Sequence, residues 1–223
     1  MIMKKITQET KVDILLGLFI ASLVAANLLG TKITTILGVA VSVGIFAYPI
    51  SFLITDIIEE VIGKEKTKHF VLSGFIALIV VFILTLISVI LPAAGRYPYN
   101  EEYRIVFGSS LRMIIASLIA FGLSQTHDIW AFNFWKQKTN GSFLWLRNNL
   151  STIASQFIDT TIFMFIAFYA ITPKFTAEFI FSLIIPYWLF KIAFALLDTP
   201  LVYAGVRWLK SGLDKNKKMD KDE

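Results

Sequence analysis

The sequence contains no cysteine in its 223 residues and only two histidines, His69 and His127. The first absence excludes disulfides, thiolate catalysis and cysteine-ligated zinc or iron–sulfur sites. The second leaves nothing for a multi-histidine metal site, so no cofactor is expected. Charge is also scarce: Asp, Glu, Lys and Arg make up 17% of the chain, against about a quarter in an ordinary soluble domain. What the chain has is apolar surface, with 56% hydrophobic residues, 20 Phe, 5 Trp and a mean hydropathy of +0.69. That much hydrophobicity excludes disorder, and a globule this small cannot hide it from water. The composition describes an all-α, polytopic membrane protein.

A helix needs about 20 mostly apolar residues to cross the hydrocarbon. Six stretches qualify, at residues 12–30, 36–58, 70–91, 111–134, 150–171 and 179–209. The first follows Lys4 and Lys5 as a signal peptide would, but it is longer than a signal core and reads as a retained helix. Three segments result: a cytoplasmic N-terminal stretch (1–11), a six-helix membrane domain (12–209) and a basic tail (210–223). Pro49 interrupts the second stretch, and Pro186 and Pro200 interrupt the sixth. With the N-terminus inside, fifteen Lys and Arg fall on the cytoplasmic side, including Lys64, Lys66, Lys68, Lys136, Lys138 and Arg147. Only Arg96, Arg104 and Lys174 fall outside. This positive-inside asymmetry puts both termini in the cytoplasm. The basic residues serve lipid topology here, and no nucleic-acid partner is implied.

The informative residues are the polar ones inside the spans. An ionisable side chain at the centre of a membrane helix costs about 2.5–3.5 kcal/mol on insertion scales, so it faces a cavity or a partner. Asp56, Arg112, Asp128, Asp159, Lys191 and Asp198 lie in that zone, with the amides Asn27, Gln125 and Gln156. Gln125 precedes Asp128 by three residues, and Gln156 precedes Asp159 by three, so each pair shares a helix face. Asp159 lies about 14 Å in from residue 150, near mid-membrane, where Lys191 is its natural counter-charge. Asp128 and Asp56 fall nearer the cytoplasmic end. Carboxylate and amide together suit the edge of a planar ring carrying N–H and carbonyl groups, and the aspartates suit proton coupling equally. Phe52, Trp130, Phe132, Phe157, Phe163 and Trp188 are candidates to stack on it. Plainer readings stand beside these. Arg112 can snorkel to phosphate, Glu59 and Glu60 can pair with the 64–68 lysines, and Asp198 can pair with Lys191. Gly17, Ala21 and Ala25 form a small-residue stripe on the first helix, a packing surface within the bundle or for a partner.

Several of these runs resemble the queuosine precursor transporter family. They are residues 49–63 around Asp56, Arg112 with Gln125-x-x-Asp128-x-x-x-Phe132, Gln156-x-x-Asp159-Thr160, and Tyr187-x-x-x-Lys191. The match runs over residues 27–203 in unbroken order. It implies inward transport of 7-deazaguanines (preQ0, preQ1 or queuine) with no enzyme activity. The family is grouped with vitamin uptake proteins and is similar to the S-components of energy-coupling-factor transporters. That implies a six-helix bundle with substrate residues at Asn27, Asp56, Arg112, Gln125, Asp128, Gln156, Asp159 and Lys191. It also implies either a homodimer or a coupling subunit docked on Ala21 and Ala25. An S-component for another small heterocycle is the alternative. An intramembrane aspartyl enzyme is a further one, but Gly-x-Gly-Asp, HExxH and an evident Ser–His arrangement are all missing.

Overall fold

The computed structural model describes residues 6–36, 39–170, 173 and 175–211. Lys174 and most of the basic tail lie outside them. Six α-helices are present among the described residues: α1 (Gln8–Leu29), α2 (Tyr48–Val61), α3 (Lys64–Ile90), α4 (Asn100–Lys138), α5 (Leu144–Phe168) and α6 (Ala177–Lys210). All but α2 are long and apolar enough to cross a membrane. The molecule is therefore a helical, multi-pass membrane protein.

The second expected span is not one helix. Residues Ile33–Ile36 (β1) and Val39–Ser42 (β2) form an antiparallel hairpin, with Thr34 opposite Val41 and Thr35 opposite Ala40. Val, Ile and Thr crowd this stretch, and their branched Cβ atoms favour strands over helix. The Val43 N–H donates to the Lys32 carbonyl at 2.9 Å and closes the hairpin base. A 3-10 turn (Val43–Phe46) follows, capped by the Ser42 hydroxyl. Pro49 then stands in the first turn of α2, where its missing N–H costs nothing. The 14 residues of α2 reach about 21 Å, short of the roughly 30 Å hydrocarbon core.

Other boundaries also move. Helix α4 has 39 residues and begins at Asn100, so Arg104 is helical and not a loop charge. Helix α5 begins at Leu144 and takes in Arg147, which is 1% exposed instead of lying in a basic loop. Helix α6 runs unbroken through Pro186 and Pro200. Helix α3 stops at Ile90 because Leu91 precedes Pro92, and a residue before proline avoids helical ψ. Between α2 and α3, Gly63 sits at φ +112°, a conformation that penalises any side chain.

The core joins α1, α2, α3, α4 and α6. Phe19 is wholly buried, its ring 6.0 Å from Phe70 and 6.1 Å from Phe121. Ile57 of α2 and Val202 and Val206 of α6 belong to the same cluster. Gly205 lies so close under Ile57 that a Cβ there would overlap it, which is how the short α2 packs against α6. Outward, α3 presents Leu72, Ile76, Val80, Ile83 and Ile87, a stripe suited to lipid.

One end of the bundle is tied by charge. Glu60 at the foot of α2 pairs with Arg147 of α5, with Lys136 of α4 at 3.6 Å and with Lys210 of α6 at 4.0 Å. Glu60 does not pair with the 64–68 lysines as expected; Lys68 bonds Glu65 instead. At this same end Lys11 of α1 donates to the Trp208 carbonyl at 2.6 Å.

Candidate functional site

A cavity opens where α1, the hairpin, α2, α4, α5 and α6 converge, on the side of the bundle away from Glu60. Its charged floor is a buried ion pair. Lys191 Nζ of α6 lies 2.7 Å from Asp159 Oδ2 of α5, and Asp159 is 1% exposed. The pairing expected of these two residues is formed. Ser124 Oγ of α4 donates to the other carboxylate oxygen at 3.4 Å. The ammonium also sits 4.8 Å from the ring of Tyr48 and 5.9 Å from that of Tyr187, held over two aromatic faces. A buried ion pair seldom stabilises a fold relative to apolar residues of the same volume, whereas losing one partner costs about 3–5 kcal/mol. Stability alone does not account for placing one here.

The rest of the lining is held by the hairpin. The Ser42 N–H donates to the Tyr187 hydroxyl at 2.9 Å, and Ser42 Oγ donates to the Gly30 carbonyl at 2.6 Å. Gly30 and Gly44 let this turn lie against the end of α1, since a Cβ on either would strike the Ala26 carbonyl. Asn27 donates from Nδ2 to the Leu23 carbonyl at 2.9 Å, leaving its buried Oδ1 with no partner among the described residues. Asn27 lines the cavity, as do Ser117, Met113 and Phe163. The cavity spans about 430 Å³ with its mouth included, but its walls close in on most of that space. A ring-sized ligand must therefore part these walls on entry.

A second cavity lies beyond the first toward the Glu60 end and shares Ile45, Tyr48 and Lys191 with it. Gln156, Thr152 and Asp198 line it with Phe52 and Phe194. Deeper again, the carboxyl groups of Asp128, Asp198 and Glu59 lie within electrostatic range of Asp56.

The eight expected substrate residues thus separate into groups. Asn27, Asp159 and Lys191 meet at the first cavity, and Gln156 at the second. Asp56, Gln125 and Asp128 are buried in neither lining; both amide atoms of Gln125 and Oδ1 of Asp128 lack partners among the described residues. Arg112 is exposed and bonds the Ile166 and Tyr169 carbonyls at 2.8 and 2.7 Å, tying α4 to the end of α5. Of the expected stacking rings, only Phe163 and Phe52 reach a cavity. Phe132 lies instead under Arg147, Trp188 bonds the Ile153 carbonyl, and Trp130 and Phe157 are exposed. The rings nearest the charge, Tyr48 and Tyr187, carry no mark in composition; Tyr187 stands four before Lys191, a spacing that puts them on one face. The structure also joins His127 Nδ1 to Ser155 Oγ at 2.9 Å, a Ser–His contact between residues 28 apart that the sequence does not reveal.

A membrane-length helical bundle with a narrow, charge-floored cavity fits a transporter of a small molecule. The chain belongs to the family described as putative vitamin uptake transporter, whose pattern matches residues 42–205. It is 30% identical over 199 residues to the probable queuosine precursor transporter of Bacillus subtilis (strain 168), spanning 87% of this chain and 85% of that protein. It is also 25% identical over 193 residues to the queuosine precursor transporter of Escherichia coli (strain K12), spanning 86% and 84%. No solved structure matches. A transporter family sets aside the intramembrane-enzyme reading, the His127–Ser155 contact included.

Proposed function

We propose that this protein imports queuosine precursors, the 7-deazaguanines preQ0, preQ1 or queuine, across the inner membrane. The named function of the two relatives supports the substrate class. The observation that carries the residue assignment is the Asp159–Lys191 pair beside the unmet Asn27 Oδ1. An acceptor amide and a carboxylate complement the ring N–H and exocyclic amine of a guanine-like edge, while Lys191 complements its carbonyl. Phe163 and the two tyrosines offer flat faces for the ring. Asp56, Gln125 and Asp128 then act further along the path, and Arg112 holds helices together.

In this reading the hairpin, the 3-10 turn and α2 together make the second of six crossings, as in an S-component-like bundle. Both termini lie in the cytoplasm with the Glu60 end. That orientation puts the first cavity in the outer half, where a substrate arrives. Gly17 and Ala21 are exposed on α1 and supply a face for a second copy or a coupling subunit.

Uptake of labelled preQ1 by cells unable to synthesise it, with and without this protein, tests the proposal. Expression should restore accumulation and Asp159→Ala should abolish it; unimpaired uptake by Asp159→Ala removes the assigned base reader. The family's vitamin-related description favours a second reading, uptake of another heterocycle. Thermal-shift screening of the solubilised protein against preQ0, preQ1, queuine, guanine, biotin and riboflavin separates the two, because only a bound ligand raises the melting temperature.

A further inference from the structure

We propose that the second cavity is a separate ligand station, occupied after the first on the way to the Glu60 end. The inference rests on the import reading and extends it by adding a site of different chemistry. Helices α5 and α6 run in opposite directions, so Thr152, seven residues before Asp159, and Asp198, seven after Lys191, both lie about 10 Å deeper. The two cavities meet only at a partition of Ile45, Tyr48 and Lys191. Lys191 is committed to Asp159 on the first side.

The second cavity is a narrow space whose walls must part for a ligand to enter. Two of its polar walls are more than nine-tenths buried and unmet: Thr152 Oγ1 and Gln156 Oε1 have no partner among the described residues. Buried polar atoms of this kind are rare unless something bonds them. With the Asp198 carboxylate they present three acceptor groups, the Thr152 hydroxyl being able to donate as well, while Lys191, the cation in the lining, is turned to Asp159. Such a set takes a ligand rich in N–H donors, a ring amine or an ammonium, and discriminates against anions. Phe52, Phe194 and Tyr48 give it flat apolar walls. A donor-bearing ring leaving the first cavity meets matching acceptors one step deeper, once the Tyr48–Lys191 partition parts.

The test compares wild type with Thr152→Val and Asp198→Asn by three readouts. These are uptake of labelled preQ1 in cells unable to make it, preQ1 binding to the purified protein, and mapping of crosslinks from a photoreactive preQ1 derivative. Both variants should bind preQ1 within about twofold of wild type, through the intact first cavity, while uptake falls about tenfold, the effect of one lost buried hydrogen bond. Crosslinks on wild type should fall on peptides carrying Thr152 or Phe194 as well as on those carrying Asn27 or Tyr187. Undiminished uptake in both variants, binding lost in parallel with uptake, or crosslinks confined to the first cavity each overturn the second station. Because the crosslink map uses wild type, it decides the matter even where a variant misfolds. Wild type that takes up none of preQ0, preQ1 and queuine overturns the import reading and the station with it; wild-type uptake with crosslinks at the first cavity alone overturns only the station.

Discussion

Lys191 and Asp159 illustrate how far single residues can be read. Each is too costly at mid-bilayer to stand alone, so their meeting was legible from depth along α5 and α6. Tyr48 was not legible as its company, because a cation over a ring on another helix leaves no mark on either segment, whereas the four-residue spacing of Tyr187 and Lys191 on α6 already put those two on one face. Arg147 misled for the opposite reason. It sits among basic loop residues in the sequence, yet the fold buries it between Glu60, the Gly141 and Ser142 carbonyls and the face of Phe132. The central pair makes a clear energetic prediction. Lys191→Met alone strands a buried carboxylate and should cost about 3–5 kcal/mol, whereas Asp159→Asn with Lys191→Met should recover most of that loss. Thermal unfolding of the three proteins in detergent checks the ordering, and neither variant should transport.

At the scale of elements, five long helices follow from apolar runs of sufficient length, and their starts run back by as many as eleven residues, at α4, where polar turns remain helical. The second span departs most. Its hydrophobicity suits a membrane crossing, but hydropathy does not distinguish a buried helix from a strand pair of branched residues. What distinguishes them is the pattern of Ile, Thr and Val before Pro49, together with the seat that Gly30 and Gly44 provide against α1. The short α2 then depends on a close approach to α6. Gly205→Ala should destabilise the protein by about 1–3 kcal/mol through overlap with Ile57, and adding Ile57→Val should restore part of it. The melting temperatures of single and double variants test this. Gly63→Ala should cost about 1–3 kcal/mol independently of any partner, because the strain is in its own backbone; no second substitution should rescue it.

Across the whole molecule, four helices converge on Glu60, and the net effect is a closed, charged end opposite the first cavity. Glu60→Gln leaves Arg147 buried without its counter-ion and should lower stability by about 3 kcal/mol, read as a drop in the denaturation midpoint. The absence of native cysteine makes orientation directly measurable. Ala94→Cys in the α3–α4 connection should react with a membrane-impermeant maleimide on intact cells. Ser142→Cys in the α4–α5 turn should react only after permeabilisation. The reverse pattern would invert the bundle and with it the direction assigned to the two cavities.

The sequence alone determined the solvent this protein lives in, since no fold can hide so many apolar residues from water. It also determined which polar residues required explanation, since hydrocarbon makes each of them costly wherever it points. The tertiary structure decided which of them meet. It brought Asn27, Asp159 and Lys191 around one cavity and carried Gln156 and Asp198 to another. Arg112 it turned outward onto carbonyls, and Arg147 it drew inward onto Glu60. Those outcomes depend on the crossing of helices far apart in the chain, and on a hairpin whose seat exists only once α1 and α6 are in place.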